Sequence, residues 1–174
     1  MSIRPCFHVL ITAASVATAT LPLHAQMKTV VQIAPATIPA GTAEKTFLVD
    51  IRASRAALLA AARNKQQEVT LELDVEAERS PGVFYEVTIG VPRRAPQRAG
   101  NVALFGAGIR SEARGEFRPA HVQLVISDQL AALLADSQAD TLSITFTARG
   151  AERVPAATLT IDKAEIVIGP SLRR

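Results

Sequence analysis

Apolar and polar side chains alternate most cleanly over residues 67–77, where Val69, Leu71, Leu73, Val75 and Ala77 fall on one side and Glu68, Thr70, Glu72, Asp74 and Glu76 on the other. A period of two is that of a strand with one face in a core and the other in water. Residues 83–91, 120–127 and 142–146 repeat the pattern, and β-branched runs at 28–33 and 46–51 read as two further strands. Pro92 stops pairing after residue 91, because it has no N–H to give. Arg93 to Arg98 then form a charged, Pro-containing loop before a short apolar strand at 102–105. Residues 157–161 and 164–168 close the pattern as one long or bulged strand.

Two segments break this period. Residues 53–63 are Ala- and Leu-rich with few β-branched residues, which favours a short helix ended by Asn64 and crossing over or capping the sheet. Residues 129–135 space Leu130, Leu133 and Leu134 to cover a sheet, with Ser127-Asp128 as the cap. Pro35 and Pro39-Ala40-Gly41 read as breaks, and Ser80-Pro81-Gly82 as a turn joining strands 67–77 and 83–91 in a hairpin. About eight short strands with one or two short helices predict an all-β, antiparallel β-sandwich.

The first 25 residues change what the remainder can do. Arg4 is followed by an uncharged Ala/Val/Leu-rich run from Phe7 to Leu21, and Pro22-Leu23-His24-Ala25 ends in a small residue. This is the form of a secretory signal peptide cleaved after Ala25, and the run is too short to span a membrane. The expectation is an exported, periplasmic or secreted domain of residues 26–174 with no stable membrane anchor. Cys6, His8 and His24 leave with the signal, so His121 is the one histidine left and no cysteine remains. Without disulfides such a domain relies on its hydrophobic core. Of 19 basic residues Arg4 also leaves, and 18 against 16 acidic residues is too even for nucleic-acid binding.

Candidate chemistry is sparse. His121 lies on a strand's polar face without a second His, a Cys or a nucleophile elbow, so it reads as a hydrogen-bonded surface histidine. A hydrolase centred on it needs a Ser or Asp within reach of the ring. No metal or cofactor is expected. Glu72, Asp74, Glu76 and Glu78 form an acidic stripe, because alternate residues of a strand share a face. It is either a docking patch or cation site, or a solvated face paired with arginines. Arg93, Arg94, Arg98, Arg110, Arg114 and Arg118 are the arginines available, and they are equally a candidate docking surface. Tyr85 falls on the apolar side of its strand and is expected in the core, its hydroxyl needing a partner. Phe84 falls on the polar side, covered by a loop or exposed for contact.

Pro81-Gly82-Val83-Phe84-Tyr85-Glu86-Val87 with Val91-Pro92, then Ala99-Gly100-Asn101-Val102-Ala103-Leu104-Phe105-Gly106, resembles the C-terminal domain of bacterial tyrosinases and polyphenol oxidases. In that domain a strand of the type YYEVYxNLP leads through a variable loop to GxLxLFG. Gly90 stands where the family has Asn, and the later elements follow the family's order. The resemblance implies the β-sandwich without the catalytic domain, since a type-3 copper pair takes six histidines from a helical bundle. It implies a non-enzymatic accessory module docking on a separately encoded tyrosinase-like copper oxidase and shielding it. Phe84 and Phe105 are the candidates for that contact, with Arg93, Arg94, Arg98, Glu72, Asp74 and Glu76 as surface candidates. The alternative is a free-standing ligand- or glycan-binding sandwich of the cell envelope, which a concave face bearing Phe84 and the acidic stripe would favour, whereas a flat apolar patch would favour docking.

Overall fold

The computed structural model describes residues 27–104, 108, 119–150 and 155–171. In chain order these form β1 (Lys28–Ile33), β2 (Ala36–Ile38), β3 (Glu44–Asp50), α1 (Arg55–Arg63), β4 (Gln67–Ala77), β5 (Phe84–Gly90) and β6 (Gln97–Val102). They continue with β7 (Ala120–Val125), α2 (Ser127–Leu134), β8 (Thr141–Arg149) and β9 (Leu159–Pro170). The strands make two antiparallel sheets: β1-β9-β4-β7, with β2 also on β9, and β3-β8-β5-β6. We call these the first and second sheets. The expected all-β sandwich is therefore present, with nine described strands rather than about eight.

Period-two alternation explains the core. Val69, Leu71, Leu73, Val75 and Ala77 of β4 turn inward, as do Ile161, Ala164 and Ile166 of β9. They meet Tyr85, Val87 and Ile89 of β5 and Leu142, Ile144 and Phe146 of β8. Phe47 stands edge-on to Phe146, with ring centroids 5.8 Å apart, and fills the side between β3 and β8. Strand β9 absorbs a register shift opposite Asp74 and Val75, so the two apolar runs at its ends belong to one bulged strand.

Each helix carries the chain from one sheet to the other, α1 from β3 to β4 and α2 from β7 to β8. The helices pack on each other and bury Leu58, Ala61, Leu130, Leu133 and Leu134. Neither begins with a side-chain cap. Ser127, expected to cap α2, is its first residue, and its Oγ accepts the Val69 N–H of β4 at 2.8 Å. Ser54 at the start of α1 donates its hydroxyl to the Val30 carbonyl of β1 at 2.7 Å. Both serines fix their helix to the first sheet. Asn64 ends α1 as expected.

Three other expectations are corrected. β4 and β5 do not form a hairpin: β4 lies between β9 and β7, and β5 lies between β8 and β6 in the other sheet. Ser80-Pro81-Gly82 turns the chain across the sandwich instead. β2 occupies the interval between Pro35 and Pro39, where its pairing with β9 buries Ile38 completely. β6 begins at Gln97, inside the stretch read as loop, and ends at Val102 where the strand was expected to begin. Its pairing is set by the hairpin with β5, and Gly100 fits a bulge between Val87 and Thr88. An edge strand held this way needs no apolar alternation of its own.

Candidate docking faces

On the outer face of the first sheet a polar row crosses four strands: Gln32 opposes Glu165, Glu165 opposes Glu72, and Glu72 opposes Gln123. Glu72 and Glu165 are each only 9 % exposed, although like charges face each other. Both carboxylates are engaged. Gln123 donates to Glu72 at 3.0 Å, Thr29 donates to Glu165 at 3.0 Å, and Lys163 Nζ lies 3.2 Å from Glu165. Burial pushes the Glu165 carboxyl up, but hydrogen bonds from Lys163, Thr29 and Gln32 outweigh it and leave the group below its ordinary value. The same contact with Glu165 raises the Lys163 ammonium.

One row on, Asp74 opposes both Lys163 and His121, and its Oδ1 lies 2.7 Å from His121 Nδ1. His121 is hydrogen-bonded at the surface, and Asp74 is also the Asp within reach of its ring that the hydrolase reading needs. Glu76 is engaged as well. The partners identified for Glu72 and Asp74 are His121, Gln123 and Lys163 of neighbouring strands. Arg93, Arg94 and Arg98, offered as their counter-charges, belong to the other sheet's hairpin.

The outer face of the second sheet is different. Threonines dominate: Thr46, Thr145 and Thr88 form one row ending at Arg98, and Thr46 and Thr145 share a hydrogen bond of 2.8 Å. The adjacent row runs Glu44, Thr147, Glu86, Asn101. Arg149 donates to Glu86 at 2.8 Å and Arg98 lies 3.6 Å from it, so these arginines hold the Glu86 carboxyl below its usual range, Arg149 most strongly. Two large apolar side chains stand out among these polar ones. Phe84 is 37 % exposed and faces Arg149 across the strands, while Leu48 is 75 % exposed beside Ser143. Six residues of β8 separate their partners, about 20 Å along the strand.

The β5–β6 hairpin turns at Val91 to Arg94, closed by an Arg94 N–H to Val91 carbonyl bond of 3.3 Å. Arg94 is anchored, donating to the Ala132 carbonyl near the end of α2 at 2.8 Å and lying 3.7 Å from Asp136. Arg93 is the one non-glycine residue with a positive φ among the described residues, at 66°. Its side chain is exposed. Behind this hairpin Tyr85 is buried as expected, but its hydroxyl finds no partner among the described residues. Burial pushes its pKa up to about 12.

The candidate residues therefore separate onto two surfaces. Phe84 and Arg98 lie on the second sheet's face with Arg93 and Arg94 at its hairpin, whereas Glu72, Asp74 and Glu76 lie on the opposite outer face. Among the described residues Phe84 and the acidic stripe do not share a face. Two shallow grooves of about 510 and 520 Å³ follow the β1 edge, the larger-lined one beside Ala57, Ala60 and Asn64 of α1, away from either set. Phe105, Phe117, Arg110, Arg114 and Arg118 lie outside the described residues. Sequence reasoning passed over Leu48, Glu86 and Arg149. Leu48 was legible as the apolar residue out of step in β3, and the Glu86–Arg149 pair needed the β5–β8 register.

No protein-family model matches the chain, and no curated protein matches it. Among solved structures, a recombinantly expressed latent aurone synthase, a polyphenol oxidase, matches with a TM-score of 0.47 and 13% identity, covering 78% of this chain and 25% of that one. A latent apple tyrosinase matches with a TM-score of 0.40 and 14% identity, over 78% of this chain and 27% of its own. The Drosophila NLP core, a structure described for pentamer formation and histone binding, gives 0.31 and 12% over 78% of this chain and 97% of that chain. The chain spans about a quarter of the length of the polyphenol oxidase chains it matches.

Proposed function

We propose that the chain is an exported, non-catalytic module whose second-sheet face docks on a separately encoded type-3 copper oxidase and shields or stabilises it. The observation that supports this reading is the contrast between the two outer faces. The identified polar groups of the first sheet's acidic rows are engaged with one another, whereas the second sheet presents Phe84 and Leu48 to water over a bed of hydroxyls. Exposed apolar side chains among short polar ones are what a protein partner covers at modest desolvation cost. The strand–loop–strand resemblance to the tyrosinase C-terminal domain gives the class of partner.

The glycan-binding alternative has less to support it, because Phe84 and the acidic stripe face opposite ways. The test is to mix purified residues 26–174 with the tyrosinase-like oxidase of the producing organism and measure complex mass and diphenol oxidation. A complex with reduced or stabilised oxidase activity is expected. Phe84→Ala and Leu48→Asp should each weaken it about tenfold or more, as removal of a central contact does. Absence of a complex at micromolar concentrations discards the reading.

A further inference from the structure

We propose that the turn at Val91 to Arg94 is a recognition element for a carboxylate-rich protein segment, with Arg93 as the contacting side chain. Three observations converge on it. The backbone of Arg93 is left-handed, with φ 66°, at the third position of a turn whose second residue is Pro92. Turns of this kind favour glycine there, because a Cβ is strained at positive φ. Retaining an arginine at such a position costs stability, and residues held that way concentrate where a side chain must be presented.

The second observation is rigidity. Pro92 fixes one side of the turn and Arg94 is tied to the Ala132 carbonyl and Asp136 on the other. A Cβ on Gly90 would lie 3.5 Å from Pro96, so the loop lies close against the start of the hairpin. A guanidinium carried on such a support loses less freedom on binding than one on a mobile loop.

The third observation is the absence of an internal use among the described residues. Arg94, Arg98, Arg149, Arg52 and Arg79 each engage a carboxylate or carbonyl. Arg93 has no hydrogen bond or ion pair to another described residue. A free, planar guanidinium selects carboxylates by paired hydrogen bonds. This inference rests on the docking reading only for which protein supplies the acidic segment.

The test uses the full mature chain and fluorescein-labelled octaglutamate, read by anisotropy at low salt, with labelled heparin in parallel. Arg93→Gly should weaken octaglutamate binding about tenfold and raise the melting temperature, since glycine relaxes the turn. Arg93→Asn, which also tolerates a left-handed backbone, should reproduce the binding loss. Arg63→Ala, at the far end of α1, should leave binding within about twofold, as a distant charge in water does. Unchanged affinity in Arg93→Gly, a loss matched by Arg63→Ala, a lowered melting temperature, or binding to heparin alone would each overturn the proposal. If Arg93→Gly binds the oxidase normally, docking stands and the role of Arg93 falls; if the wild-type chain binds octaglutamate but no oxidase, the reverse holds.

Discussion

Tyr85 is where a single atom sets a measurable property. Its ring completes the core, but its hydroxyl is buried without a described partner. An unsatisfied hydroxyl costs about 1–3 kcal/mol, so Tyr85→Phe should match or exceed wild-type stability by about 1 kcal/mol in urea denaturation at neutral pH. The raised pKa makes a second prediction with a definite sign. Between the ordinary phenol value of 10.0 and about 12 the unfolded chain loses the phenol proton while the folded chain keeps it. The folded state then binds more protons, so stability falls as pH rises through that window, by about 3 kcal/mol in all. Tyr85→Phe should lack this component, seen as a difference between the two alkaline melting curves. A parallel fall in both proteins would rule it out. The alternation of residues 83–91 placed Tyr85 in the core, but no pattern along the chain says whether a hydroxyl finds an acceptor.

At the scale of elements, the helices depend on serines that serve the strands. Ser127 Oγ is the acceptor for the Val69 N–H, and the Ile126 N–H returns to the Val69 carbonyl. Ser127→Ala leaves that strand N–H without its partner and should cost about 1–2 kcal/mol, measured by chemical denaturation. Ser127→Thr keeps the oxygen and should recover most of the loss. A loss identical in both variants would point to packing instead. Most elements were legible because they bury one face, which leaves a periodic trace in β4, β5, β7, β8 and β9. Those that escaped obey other forces. β2 is defined by its pairing with β9 between two prolines, and β6 by a hairpin and a bulged glycine. The β4–β5 hairpin was misread because a turn signal shows that the chain reverses, and not whether it returns to the same sheet. The split of the candidate residues onto two faces follows from that one assignment.

For the molecule as a whole, β9 is the strand on which the first sheet is built. It pairs with β1, β2 and β4, and contributes Leu159, Ile161, Ala164 and Ile166 to the core. A chain ending before Leu159 should therefore show no cooperative thermal transition by circular dichroism, since β1 and β2 lose the strand they pair with and β4 loses one of its two neighbours. A sharp transition near the wild-type midpoint would contradict this.

That arrangement also imposes a timetable on the chain. Lys28 pairs with Ile168, so about 140 residues separate one partner from the other. At a ribosome's pace of about 5–20 residues per second, β1 waits on the order of 10 s for the strand that shelters it. Through that interval Val31 and Ile33 remain exposed, and the first sheet has no way to close. The protein is thus threadable until β9 has been made, and commits to its shape only then.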